Sequence, residues 1–152
     1  MDQGDLEISI IGSNPFTIAA ARGVDYRAVY VSYNIEESER LMVRTSVKNP
    51  LDLDGTTIAC YFDSTAHYHL SYVAALNPSL KFTMVDLGAA EIMARWDDGT
   101  IDGAYIWLEA MDHIEANGGY ALYTSAMFAT WSKATSSAGA GRTRRTRSFN
   151  VG

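Results

Sequence analysis

Apolar residues in this chain come in short runs separated by turn chemistry. Leu6 to Ile11 (LEISII) is a compact apolar run ending at Gly12 and predicts a buried strand. Ser13-Asn14-Pro15 follows and leads into FTIAAARG. Ser or Asn as N-cap, Pro in the first turn and Gly23 as a stop predict a helix. Ala28 to Tyr33, Arg40 to Val47, Thr56 to Tyr61, Lys81 to Leu87, Ile101 to Trp107 and Tyr120 to Ser125 are rich in β-branched and aromatic residues and predict further strands. Helical spacing follows Ser64-Thr65 as far as Asn77-Pro78. It returns over Gly88 to Asp98, stopped by Gly99, and over Leu108 to Asn117, stopped by Gly118-Gly119. Asn34 to Glu39 and Asn49 to Gly55 carry loop and turn residues. Strands alternating with helices at this spacing predict βαβ crossovers and a mostly parallel sheet, so the fold class is α/β.

Composition sharpens the picture at the C-terminal end. From Lys133 onward KATSSAGAGRTRRTRSFNVG is nearly devoid of apolar residues, and 133–152 is expected to be a disordered basic tail. Apart from Arg142, Arg144, Arg145 and Arg147, the chain carries 8 basic against 18 acidic residues. An acidic body disfavours a nucleic-acid partner, because neutralising phosphates takes clustered Lys and Arg. At 152 residues and 47 % hydrophobic content a single folded unit can bury its own core. The lone Cys60 excludes an intramolecular disulfide framework and a cysteine-based zinc site. It falls in a strand, which favours packing over nucleophilic chemistry. No apolar run reaches membrane-spanning length, and Met1-Asp2-Gln3-Gly4-Asp5 does not read as a signal peptide, so the compartment is left open.

Candidate chemistry lies at strand-to-helix turns. In an α/β sheet, ligands bind beyond the C-terminal ends of strands, where helix N-termini offer free amides and a positive dipole end. Gly12-Ser13-Asn14-Pro15 and Asp63-Ser64-Thr65 are two such turns, each with hydroxyl donors. The alternative is that Ser13 and Ser64 only cap their helices. Trp107 closes a strand and either belongs to the core or walls a ligand. Glu109 beside it either pairs with an ammonium group or compensates a helix N-terminus. His67 and His69, two apart on a helix, point to different faces and cannot share a metal. No nucleophile elbow, dinucleotide fingerprint or Walker loop is present, so no catalytic residue, metal or cofactor is assigned.

In order along the chain, GDLEISIIGSNPFTIAAARG, then ESERLMVRTSVKNPLDLDGTTIACYFDSTAHYHL, then FTMVDLGAAEIMARWDDGTIDGAYIWLEAMDHIEANGG resemble the taurine- and alkanesulfonate-binding group of ABC-transporter substrate-binding proteins. The resemblance covers roughly residues 4 to 132. It implies a type II periplasmic-binding-protein-like fold of two hinged lobes closing over a small anionic ligand. One lobe is nearly complete here and the other partial: 1–38 is the partial first lobe, 39–132 the second lobe with its crossover. Carried over position by position, Ser13 and Asn14 match the first-lobe turn. Ser64, Thr65, His67 and Tyr68 match the second-lobe turn and helix, and Trp107 matches the cleft tryptophan. Asn14 stands where a second Ser is common, and Glu109 where Pro is frequent.

The resemblance implies binding of a taurine- or sulfonate-type solute for an ABC importer, with a permease as partner, and no enzyme activity. Family members are longer at both ends and periplasmic. Two alternatives stand beside the binding protein. One is a scaffold that kept the fold and lost its ligand. The other is an enzyme like the thiamine-precursor relatives, which the lack of a cysteine cluster opposes. A half-built lobe leaves apolar edges, so a homo-oligomer completing it in trans is expected.

Overall fold

The computed structural model describes residues 8–25, 27–32 and 35–128. Its centre is a five-stranded sheet of β1 (Glu39–Val43), β2 (Thr57–Cys60), β3 (Thr83–Asp86), β4 (Gly103–Trp107) and β5 (Tyr120–Thr124), in the order β3-β2-β4-β1-β5. The helices are α1 (Ser13–Ala21), α2 (Thr65–Leu76), α3 (Ala89–Asp97) and α4 (Leu108–Ala116), with a 3-10 turn at Pro50–Leu53.

Alternation along the strands divides the core between the two sheet faces. Leu41, Val43, Ile58, Cys60 and Tyr105 point to one face and pack with Ala66, Leu70 and Val73 of α2. Met42, Ala59, Ala104 and Ile106 point to the other and pack with Ile92 and Trp96 of α3 and Ala110 and Ile114 of α4. This period-two division is what a sheet covered by helices on both sides requires.

The βαβ expectation holds in the middle of the sheet, where β2 pairs in parallel with both β3 and β4. The sheet is less parallel than the sequence suggests, because β1 runs antiparallel to both β4 and β5. Among the described residues no strand precedes β1 to pair with it in a βαβ unit, and a strand outside such a unit is free to run either way. Strand β1 ends at Val43, not Val47, because Arg44 leaves the sheet. Its Nε donates to the Ile101 carbonyl at 2.9 Å and its guanidinium lies 4.2 Å from the centre of the Trp96 ring.

Two predicted strands are not formed. Residues 8–11 and 28–32 form no regular element and pair with no strand among the described residues; the remainder of those runs, 6–7 and 33, lies outside them. Ile8, Ile10, Val29, Tyr30 and Val31 are all highly exposed. A strand needs a partner, and the described sheet offers these two segments none. The predicted tail, 133–152, also lies outside the described residues.

Candidate functional site

Strands β2, β3 and β4 end together, and the turns leading into α2, α3 and α4 therefore cluster at one end of the sheet. The β2–α2 turn is held from several sides. The Phe62 amide donates to Asp86 Oδ1 at 2.9 Å and the Asp63 amide donates to His67 Nδ1 at 3.2 Å. Asp63 sits in the left-handed region at φ 62°, which costs a residue with a Cβ about 1–2 kcal/mol.

Ser64 caps α2: its hydroxyl accepts from the His67 amide at 3.2 Å and donates to the Tyr61 carbonyl at 2.5 Å. The capping role is thus realised at Ser64. It is not realised at Ser13, because Gly12 occupies the N-cap of α1 and no side chain caps that helix. The expectation of Ser or Asn as N-cap is corrected here: Ser13 is the first helical residue and Asn14 turns away from its own helix.

Asn14 reaches the other turn. Its Nδ2 donates to the Ser64 carbonyl at 2.8 Å and to the Asp63 carbonyl at 3.2 Å. Arg22 adds an exposed ion pair to Asp63 at 3.4 Å. A Cβ built on Gly12 would lie 3.3 Å from Thr65 Oγ1, so the two turns are close-packed. Helix N-termini some 50 residues apart in the chain are thereby brought side by side.

The other predicted residues spread around this junction. Thr65 is buried in the first turn of α2. The His67 ring stacks on Phe62 at 4.3 Å. Tyr68 is exposed and stacks on Tyr72. Trp107 stands at the end of β4, 37 % exposed, and is followed by Leu108 in the left-handed region at φ 52°. Glu109 lies exposed in the first turn of α4, where its charge favours the helix dipole.

Sequence reading missed Glu39, which it placed in a loop. Glu39 opens β1 directly opposite Trp107. Its Oε2 is shielded and has no hydrogen-bond partner among the described residues. Burial pushes the carboxyl up to about 7. The only signal in the sequence was an acidic residue abutting an apolar run, which is too common to read.

Burial likewise pushes the Cys60 thiol up to about 12, with the Asp86 charge adding to it, so the thiol is inert at neutral pH. A cavity of about 60 Å³ opens beside the turns, lined by Tyr61, Leu87, Ala89, Ile92, Tyr105, Ile106, Trp107 and Ala110. A larger open depression of about 340 Å³ lies at the opposite end of the sheet, among Arg44, Trp96, Asp97 and Asn117. Its charged groups are engaged already, Arg44 with two carbonyls and Asp97 with His113. Among the described residues no group of three or more His, Cys, Asp or Glu side chains is placed to hold a metal, and no helix is long and apolar enough to cross a membrane.

An α/β sheet covered on both faces, with helix N-termini gathered at one end, is the architecture of a lobe of a periplasmic substrate-binding protein. The chain superposes on the periplasmic aliphatic sulphonate-binding protein of Escherichia coli with a TM-score of 0.56 at 20 % identity, over 63 % of this chain and 33 % of that one. It superposes on the alkanesulfonate-binding protein of Xanthomonas axonopodis pv. citri bound to MOPS with a TM-score of 0.52 at 25 % identity, over 59 % and 32 %. In sequence it is 37 % identical over 120 residues to the taurine-binding periplasmic protein of Escherichia coli K12, which covers 76 % of this chain and 37 % of the relative. Over the part it spans, the chain is similar in sequence to a taurine-binding protein and in fold to alkanesulfonate-binding proteins. That part is little more than a third of the curated relative's length. No family model matches the chain.

Proposed function

We infer that this chain contributes one wall of a cleft that binds a small sulfonate of the taurine type for an ABC importer, with a permease as its membrane partner. The observation that carries this reading is the meeting of the Ser13-Asn14 and Ser64-Thr65 turns, tied by Asn14, at the end of the sheet where Trp107 stands. Helix N-terminal amides and hydroxyls suit the sulfonate head, and Trp107 suits the carbon chain. Solute binding, not catalysis, is the role of the relatives, and a buried, inert Cys60 supports the same role here.

Glu39 supplies the complement for an amine. A shielded carboxylate without a partner gains most from an ammonium group brought to it. Taurine carries such a group and ethanesulfonate does not. Calorimetry of both ligands against the chain and against Glu39→Gln tests this. The expected result is taurine binding that weakens about tenfold in the variant, with ethanesulfonate affinity unchanged or improved. Equal losses for both ligands would remove Glu39 from the amine role.

A second reading has an observation in its favour. The Ser64 hydroxyl has both its bonds within the protein, and Asn14 and Arg22 tie the turns shut. A scaffold that kept the fold without a ligand would look the same at these residues. A thermal-shift panel of sulfonates and amino acids separates the two, since any concentration-dependent rise in Tm favours the binding protein.

A further inference from the structure

Helix α1 is attached to the rest of the molecule differently from α2, α3 and α4. Each of those three buries at least two residues. Helix α1 buries none, although Asn14, Pro15, Phe16, Ile18 and Ala19 are half-buried. The segments on either side of it, 8–11 and 28–32, pair with no strand among the described residues. Polar side chains of α1 and its C-cap reach one place, the β2–α2 turn. Asn14 Nδ2 donates to the Ser64 carbonyl at 2.8 Å and the Asp63 carbonyl at 3.2 Å, and Arg22 pairs with Asp63 at 3.4 Å. With Asp63 left-handed at φ 62°, both carbonyls face α1. Gly12 comes so near that an added Cβ would lie 3.3 Å from Thr65 Oγ1, so the two turns touch directly.

Two physical consequences follow from this attachment. An element held without buried side chains opens at less cost than the core, because apolar packing is what makes a helix part of the cooperative unit. The N-terminal ends of α1 and α2, both positive, also meet at the junction, which opposes docking and leaves it to the side-chain ties.

We propose that α1 is a releasable latch over the β2–α2 turn: it docks through Asn14 and Arg22, and it opens and recloses while the sheet stays folded. Docked, the Ser13-Asn14 and Ser64-Thr65 turns shut on each other. Released, the turns part and Asp63 is free to leave the left-handed region. The latch belongs to the chain by itself and stands whether or not the turns bind a sulfonate.

Hydrogen–deuterium exchange of the 152-residue chain without added solute, read by mass spectrometry, tests this. A 9-residue helix on its own is marginal in water, so protection of the α1 amides reports docking. Asn14→Asp sets a carboxylate against two carbonyls, while an acidic residue in the first turn favours the helix itself. It therefore weakens docking and not helix formation. In the wild-type chain the α1 amides should exchange about tenfold or more faster than those of β4, as expected of local opening. In Asn14→Asp they should exchange about a further tenfold faster, with β4 unchanged. Raising sodium chloride from about 0.01 to 1 M shortens the Debye length from about 30 to about 3 Å. That should speed α1 exchange in the wild type more than in Arg22→Gln, and this arm carries the test if Asn14→Asp fails to fold.

Amides of α1 and β4 exchanging together in the wild type would make α1 part of the cooperative core and overturn the latch. So would α1 exchange that neither Asn14→Asp nor Arg22→Gln alters.

Discussion

Glu39 and His69 flank Tyr105 and are both kept from charging, with opposite consequences for stability. Burial holds His69 down to about 4, and its Nδ1 meets the Tyr105 hydroxyl at 3.1 Å while its ring stacks on Phe128. Between pH 4 and 6.5 the unfolded chain protonates this histidine and the folded chain does not, so stability rises with pH there. Burial holds Glu39 up to about 7. Between its ordinary value of 4.5 and 7 the folded chain keeps a proton that the unfolded chain has lost, so stability falls as pH rises. The two slopes oppose each other from about pH 4.5 to 6.5. Urea titrations of Glu39→Gln should show stability climbing with pH across that window, and His69→Gln should show it falling. Unchanged slopes in both variants would mean that neither group is shielded in solution. Neither environment was legible in the sequence. His69 showed only as half of a pair that could not share a metal, and the residue opposite Glu39, Trp107 of β4, lies far along the chain.

Among the elements, the Ile101-Asp102-Gly103 segment shows how the start of β4 is built. Ile101 is buried in the core beneath α3 and α4. Asp102 Oδ2 accepts from the Thr57 amide at 2.8 Å and the Asp102 amide donates to the Thr57 carbonyl at 2.9 Å, which locks the starts of β2 and β4 together. A Cβ on Gly103 would lie 2.8 Å from the Met42 carbonyl oxygen and 2.9 Å from Ile58 Cδ1. Gly103→Ala should therefore destabilise the chain by about 1–3 kcal/mol through overpacking. A denaturation midpoint equal to wild type would contradict that close approach. The helices α2, α3 and α4 were readable because their stops and spacing are local. The two runs around α1 were read as strands for the same reason, yet strand formation depends on a neighbour, and none is supplied within the described sheet. The N-cap of α1 was misplaced by one residue because Gly12 and Ser13 are both acceptable caps, and only the packing of Gly12 against Thr65 decides between them.

For the molecule as a unit, the exposed Ile8, Ile10, Val29, Tyr30 and Val31 lie in apolar segments on both sides of α1 that pair with no strand among the described residues. Such segments are templates for pairing with another chain. We propose that a second copy covers them, and light scattering at micromolar concentration should then give at least twice the mass of 16.7 kDa. A monodisperse species of that single mass would sink the oligomer. Fold class, strand order along the chain and the two turns were legible because α/β chains punctuate themselves with helix starts and stops. That Asn14 joins the two turns follows only from the packing of α1 against α2, and that Glu39 faces Trp107 only from the pairing of β1 with β4. The account of a sulfonate cleft stands or falls on one titration: taurine into the folded chain by isothermal calorimetry, with sulfate as competitor and Trp107→Ala as control. Saturable heat, displaced by sulfate and weakened about tenfold or more by the substitution, is expected. No heat at millimolar taurine from a folded sample, or binding that Trp107→Ala leaves untouched, would contradict it.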